Sequence, residues 1–311
     1  MPELSYRSIE ELVLAAEAEG TGISTLVLRQ QAEQLGRTEQ DLYDQMAAQY
    51  QVMAECIAPG TEPGLRSTSG LTGGDAYKMK QAVQNGTSLC GPALGGALMR
   101  ALAVSELNAA MGRIVASPTA GSCGILPAAL LTMQADYGKS EHDCVMALFT
   151  AGAVGMVIAE NASVAGAQGG CQAECGAAGA MAAAALVELA GGTPRMQAHA
   201  VAIALKNILG LVCDPVAGLV EIPCIKRNAS GVMGAFVAAD LALAGIGSAI
   251  PADEVIVAMK KVGDVMSPAL KETADGGLAA TPTGKKLFEQ VFGVGGSPDA
   301  SGCGSCRACR S

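Results

Sequence analysis

Three cysteines, Cys171, Cys213 and Cys224, are framed unlike ordinary core residues. Cys171 follows Gly169-Gly170 at an expected helix start, where the helix dipole stabilises a thiolate. Cys213 and Cys224 have Pro215 and Pro223 beside them, with Asp214, Glu221, Lys226 and Arg227 close by. Proline holds the chain out of helix, and nearby cations favour the deprotonated ligand form. Three thiolates from separate segments can hold an iron-sulfur cluster with one iron left open.

The compartment bears on that chemistry. The chain opens Met1-Pro2-Glu3-Leu4, without the basic and apolar regions of a secretory signal, so a cytoplasmic location is expected. Thiols stay reduced there, and eleven cysteines would in any case leave one unpaired. Metal binding or redox chemistry is the better reading. Cys56, Cys90, Cys123, Cys144 and Cys175 read as packing or pocket lining. Cys303, Cys306 and Cys309 form a CxxCxxC run with ferredoxin-type spacing, but without the fourth cysteine and its proline. A redox-sensitive lid, a cluster-loading arm, a plug on the open iron and a merely oxidisable tail all fit it.

Four Gly-rich polar segments accompany these cysteines: 67–75, 117–124, 169–176 and 213–228. Each reads as a loop entering a helix N-terminus, where free backbone N–H groups and hydroxyls seat a carboxylate or phosphate. Any one alone is more simply a helix cap; four together point to a pocket. The two histidines, His142 and His199, lie inside expected helices, and each alone is a weak signal for a catalytic base.

The elements that must position these groups read as helices throughout. Ser8 with Glu11 looks like a capping box opening the first, followed by helices over 23–35 and from Thr38 to about Ile57, where Pro59-Gly60 stops the chain. Further helices are expected over 75–85, 92–111, 124–137, 140–160, 170–190, 197–212, 231–245, 253–266 and 284–292. Alternating strand patterns are nearly absent, so the fold expected is all-α: a compact bundle of buried Ala/Gly-rich helices. Residues 1–60 read as a polar helical segment on the core, 61–292 as the cluster-binding domain and 293–311 as a Cys-rich tail. Hydrophobic residues are 50%, aromatics 3%, and glycines number 40, so the interior must be built from small side chains.

Mean hydropathy of +0.35 raises the membrane reading, but the charge-free run Cys144–Ala159 is shorter than the ~20 residues a span requires, and no membrane is expected. A net charge of −9 would repel phosphate backbones, so nucleic acid is not an expected partner.

SGLTGGDA (69–76), SPTAGSCGILPA (117–128), GGCQAE (169–174) and GLVCDPVAGLVEIPCIKRNA (210–229) closely resemble the α chain of bacterial iron-sulfur-dependent L-serine dehydratases, a resemblance running from about Leu65 onward. The resemblance implies a [4Fe–4S] cluster on Cys171, Cys213 and Cys224, with the fourth iron acting as Lewis acid on the hydroxyl of L-serine. Pyridoxal phosphate is not expected. The products would be pyruvate and ammonia. Substrate carboxylate and ammonium would be seated by Ser69, Gly70, Thr72 and Gly73 and by Ser117, Thr119 and Gly121. Lys226, Arg227 and Asn228 would orient cluster or substrate. In some single-chain relatives a C-terminal cysteine occupies the open iron, a role open to Cys303, Cys306 or Cys309. The family's suggested base is a histidine in an SSHT-type segment, which does not occur here, so a β subunit is the expected partner. An L-cysteine desulfidase of related fold and an iron-sulfur redox or sensor protein are the alternatives.

Overall fold

The computed structural model describes residues 6–293. Helices α1 (Ile9–Glu19), α2 (Ile23–Leu35) and α3 (Glu39–Glu55) open the chain. Glycines in left-handed backbone end the first two, Gly20 at φ 62° and Gly36 at φ 60°. Only half of the capping box expected at α1 forms. Ser8 Oγ accepts from Glu11 N at 3.0 Å, but the Glu11 carboxylate turns to Arg7 N at 2.8 Å. The remaining N–H groups are capped from far away: Asp253 accepts from Ile9 N at 2.7 Å and Glu10 N at 3.0 Å.

Next come α4 (Ile57–Gly60), α5 (Asp75–Gln84), α6 (Gly91–Ala109), α7 (Ile125–Tyr137), α8 (Glu141–Asn161) and α9 (Gly166–Gly169). Pro59-Gly60 was expected to stop the chain but lies within the single turn α4; any side chain at Gly60 would overlap the Ala103 backbone of α6. A π-helical turn over Gln172–Gly176 runs into α10 (Ala177–Leu189), followed by α11 (Pro194–Lys206), α12 (Cys224–Leu243), α13 (Ala252–Val265) and α14 (Pro282–Phe292). No strand occurs among the described residues; the one β-type contact is an isolated parallel bridge between Cys213 and Lys271. The fold is all-α.

At the centre lies α10, buried at every position but Glu188 and packed on α7, α8, α11 and α12. Its alanines combine high helix propensity with little bulk, so the surrounding helices approach closely. The apolar faces of α1, α2 and α3 join the same core through Leu12, Val13, Leu26, Tyr50 and Met53. By length and composition α8 could cross a membrane, because its helix takes in the charged ends that bound the expected run. In this fold 67% of its apolar window is buried within the protein.

Two boundaries depart from expectation, and both position cysteines. Instead of continuing to Val212, α11 ends at Lys206, because Gly210 N donates to Gln172 Oε1 at 2.9 Å and Leu211 O accepts from Gln172 N at 2.9 Å. In turn, α12 begins at Cys224 rather than Gly231, directly after Pro223.

Candidate active site

The three flagged cysteines come from three segments and all are buried; Cys213 feels the charge of Cys171 and Cys224, and Cys224 that of Cys171. Cys171 follows Gly170, whose φ of 76° suits glycine and whose missing Cβ would stand 2.7 Å from Met266 Sδ and 2.9 Å from Leu211 O. The π-helical turn after it sets Cys175 Sγ 3.4 Å from Cys171 Sγ. π-Turns inside helices recur at functional sites. Cys213 lies on the segment that leaves α11 for Gln172, and it is strapped by residues 268–272: Cys213 N donates to Leu270 O at 2.9 Å, and Glu272 N donates to Cys213 O at 2.8 Å. Cys224 occupies the first position of α12.

The thiols respond to one another's charge. Burial pushes the Cys213 thiol well up, helped by the charges of Glu174, Cys171 and Cys224. Cys224 is pushed up to about 12, by burial first and then by Cys171 and Glu174. Cys171 is lowered, by the hydrogen bond from Cys175 above all and by the Arg227 guanidinium. Arg227 is fixed by donating to Val212 O and to Asp214 Oδ1, each at 2.8 Å, and Asp214 Oδ2 accepts from Leu278 N at 2.8 Å. Among the described residues no three ligating side chains converge on a point suited to a single metal ion.

The hydroxyl loops are largely satisfied from within. Ser69 Oγ at 3.0 Å and Thr72 Oγ1 at 2.7 Å both donate to Glu221 Oε2. The N–H groups expected to be free at the start of α5 are not: Glu106 accepts from Asp75 N at 2.8 Å and Ala76 N at 3.1 Å. Gly70 at φ 77° and Gly73 at φ 129° shape this loop, and Arg66 donates to Gly73 O at 2.8 Å. Lys226 is exposed and paired with Asp75 at 3.0 Å. Asn228 is a buried brace: its amide donates to Gly121 O at 2.8 Å and Cys224 O at 3.0 Å, and its carbonyl accepts from Gly124 N at 2.8 Å. It ties the 117–124 loop to the start of α12.

In that loop Ser117 Oγ is buried without a partner among the described residues, and Thr119 Oγ1 donates to Glu174 Oε1 at 2.8 Å. Burial raises the Glu174 carboxyl, and the Thr119 hydrogen bond opposes that shift.

Glu174 had no part in the sequence-based site, although it lies three residues after Cys171, a spacing that shares a helix face. Glu106 and the Cys175 contact were equally unforeseen, the first because its partners lie 30 and 31 residues away and the second because it depends on the π-helical turn. Cys90, expected to be packed, is exposed, whereas Cys56, Cys123 and Cys144 are buried. His199 Nδ1 accepts from Ser248 N at 3.2 Å, and His142 stacks on Tyr43 with ring centroids 5.1 Å apart. Cys303, Cys306 and Cys309 lie outside the described residues.

The all-α scaffold thus gathers three buried thiols, a guanidinium and hydroxyl-bound carboxylates. The chain belongs to the serine dehydratase alpha chain family, whose model matches residues 18–279 and so reaches well before Leu65. It is 51% identical over 288 residues to the probable L-serine dehydratase, alpha chain, of Bacillus subtilis (strain 168), covering 93% of this chain and 96% of that protein. It is 44% identical over 277 residues to the L-serine dehydratase, alpha chain, of Peptoniphilus asaccharolyticus, covering 89% and 95%. The L-serine dehydratase of Streptomyces coelicolor is 40% identical over 282 residues, 88% of this chain but 60% of that longer protein.

Proposed function

We propose that this chain is the cluster-bearing α subunit of a cytoplasmic enzyme that deaminates L-serine to pyruvate and ammonia. The observation that carries this is the clustering of Cys171, Cys213 and Cys224, buried and within reach of one another's charge, in a chain of the serine dehydratase alpha chain family. Burial and neighbouring negative charge disfavour Cys213 and Cys224 as free thiolates, while Cys175 and Arg227 favour the thiolate of Cys171. Metal ligation requires thiolates, so an iron-sulfur group would stabilise the form that burial resists at Cys213 and Cys224. Three buried cysteine sulfurs form a soft donor set of the kind that iron-sulfur clusters take, and that donor chemistry supports the fit.

When bound, a [4Fe–4S] cluster supplies a Lewis acid that stabilises charge on departing hydroxide. The chain's own residues do the rest of the positioning. Arg227 sets its charge beside Cys171 and anchors the segment behind Cys213 through Val212 O. Asn228 locks the 117–124 loop against Cys224, and Glu221 gathers the hydroxyls of Ser69 and Thr72.

The base is assigned to a β subunit. Supporting this, two relatives matched along 95% or more of their length carry the name alpha chain, while longer relatives such as the Streptomyces protein extend well beyond the matched region. Both histidines of this chain sit in structural contacts.

Iron and sulfide analysis of anaerobically purified protein, with pyruvate formation from L-serine by the α/β complex, tests the reading. Stoichiometric iron and sulfide with serine-dependent pyruvate is expected. No pyruvate from serine overturns it.

A further inference from the structure

Glu174 is placed as a group awaiting a cation. Its Oε1 accepts from Thr119 Oγ1 at 2.8 Å, and its Oε2 lies 3.9 Å from Cys213 Sγ. Two glycines make room for it. A Cβ at Gly121 would stand 3.0 Å from Oε1, and one at Gly166 would stand 2.7 Å from Oε2 and 3.0 Å from Cys213 Sγ. Among the described residues no lysine or arginine forms an ion pair with it, because Arg227 is committed to Asp214 and Lys226 to Asp75. A carboxylate only accepts hydrogen bonds, and the contact that Cys213 Sγ donates to Oε2 is long and weak.

An amino acid brings the missing piece: an α-ammonium with three N–H donors and a positive charge. Serine carries its amino and hydroxyl groups on adjacent carbons, so whatever holds the amine must stand beside the cysteines that would hold the metal group. Glu174 stands there, half-buried and still reachable. Glu221, by contrast, has its Oε2 taken by two hydroxyls of the chain itself.

We infer that Glu174 is the ammonium-binding carboxylate of the site, held in orientation by Thr119. The inference rests on reading the site as one for amino-acid substrates and adds to it the subsite that distinguishes an amino acid from its deaminated counterpart.

The test compares two small ligands, L-alanine and propionate, which differ by the ammonium. Their affinities are measured calorimetrically on the anaerobic α/β holoenzyme, with iron content determined alongside. Wild type is expected to prefer L-alanine by tenfold or more, the range of a charge-assisted hydrogen bond. In Glu174→Gln the preference should fall to within about twofold at unchanged iron content. Glu174→Asp keeps the charge and should retain an intermediate preference, and it serves if the first variant does not fold. An unchanged preference in Glu174→Gln overturns the inference while leaving serine deamination standing. Loss of iron from both variants also overturns it, by making Glu174 a support of the metal group. A wild-type protein with iron and serine-dependent pyruvate but no preference for L-alanine sinks the ammonium subsite alone. Absence of iron, pyruvate and preference together sinks the functional reading with it.

Discussion

The two ends of the central helical run each carry a partly buried glutamate, and the two are handled differently. At the C-terminal end, Glu188 Oε2 accepts from Gln197 Nε2 at 3.2 Å and from Thr150 Oγ1, with Ser24 also bonded to it. Those partners come from α11, α8 and α2, so the carboxylate knits three helices to α10. At the N-terminal end the helix loosens into a π-turn, and Glu174 meets a threonine and a cysteine in space that Gly121 and Gly166 leave clear. One carboxylate is consumed by the fold. The other is held ready beside three thiols. The same helix thus serves as core at one end and as site at the other, and what separates the roles is who supplies the hydrogen-bond donors.

The strongest way to break this contrast is to remove a thiol. Cys213→Ser should lose cluster iron and serine-dependent pyruvate to background, while helical circular dichroism stays near wild type because α10 and its neighbours do not depend on that sulfur. A variant that retained iron would place the metal group elsewhere. Next in size is Asn228→Ala. It leaves Gly121 O and Gly124 N without the amide that braces them, at about 1–3 kcal/mol of stability for unsatisfied buried groups. As a support behind Cys224 it should also lower activity by about 10–100-fold. Urea denaturation and pyruvate assays on the same preparation check both.

Ala184→Leu is the matching probe of the core. Ala184 is fully buried in α10, and overpacking there should cost about 1–3 kcal/mol. Activity per iron should remain at wild-type level. If Ala184→Leu emptied the iron site as Cys213→Ser is expected to, core and site would not be separable.

The core half of this contrast was readable in the sequence, and the site half only partly. Thr38 and Ser140 announce α3 and α8, and both form full capping boxes with Asp41 and Asp143. Ala-rich periodicity announces α10 because burial on every side needs only small apolar residues. The same local reasoning ran α11 six residues too far, since its end is set by Gln172, 38 residues from the Gly210 amide it accepts. It left the α5 amides free because nothing nearby signals that Glu106, 31 residues from Asp75, fills them. The cysteines stood out by their glycine and proline neighbours. Glu174 did not, because its meaning comes from Thr119 and Cys213, contacts that exist only after folding.

The smallest expected effect probes the far end of α10. Burial raises the folded-state pKa of Glu188 above its ordinary 4.5, against the hydrogen bonds that lower it. A carboxyl raised on folding binds more protons in the native state than in the unfolded one. Its stabilising contribution is therefore fully present below the unfolded value and is lost as pH rises through the raised native value. Glu188→Gln removes that dependence. It also supplies N–H donors next to Gln197, whose Oε1 is buried without a partner among the described residues. Above the native pKa of Glu188 the variant should gain about 1 kcal/mol, the scale of one net hydrogen bond. Urea midpoints measured from pH 4.5 to 8 should decline less in the variant than in wild type. An identical decline would mean that Glu188 is charged and satisfied throughout that range, and the two ends of α10 would then differ in their partners but not in the cost of burying a carboxylate.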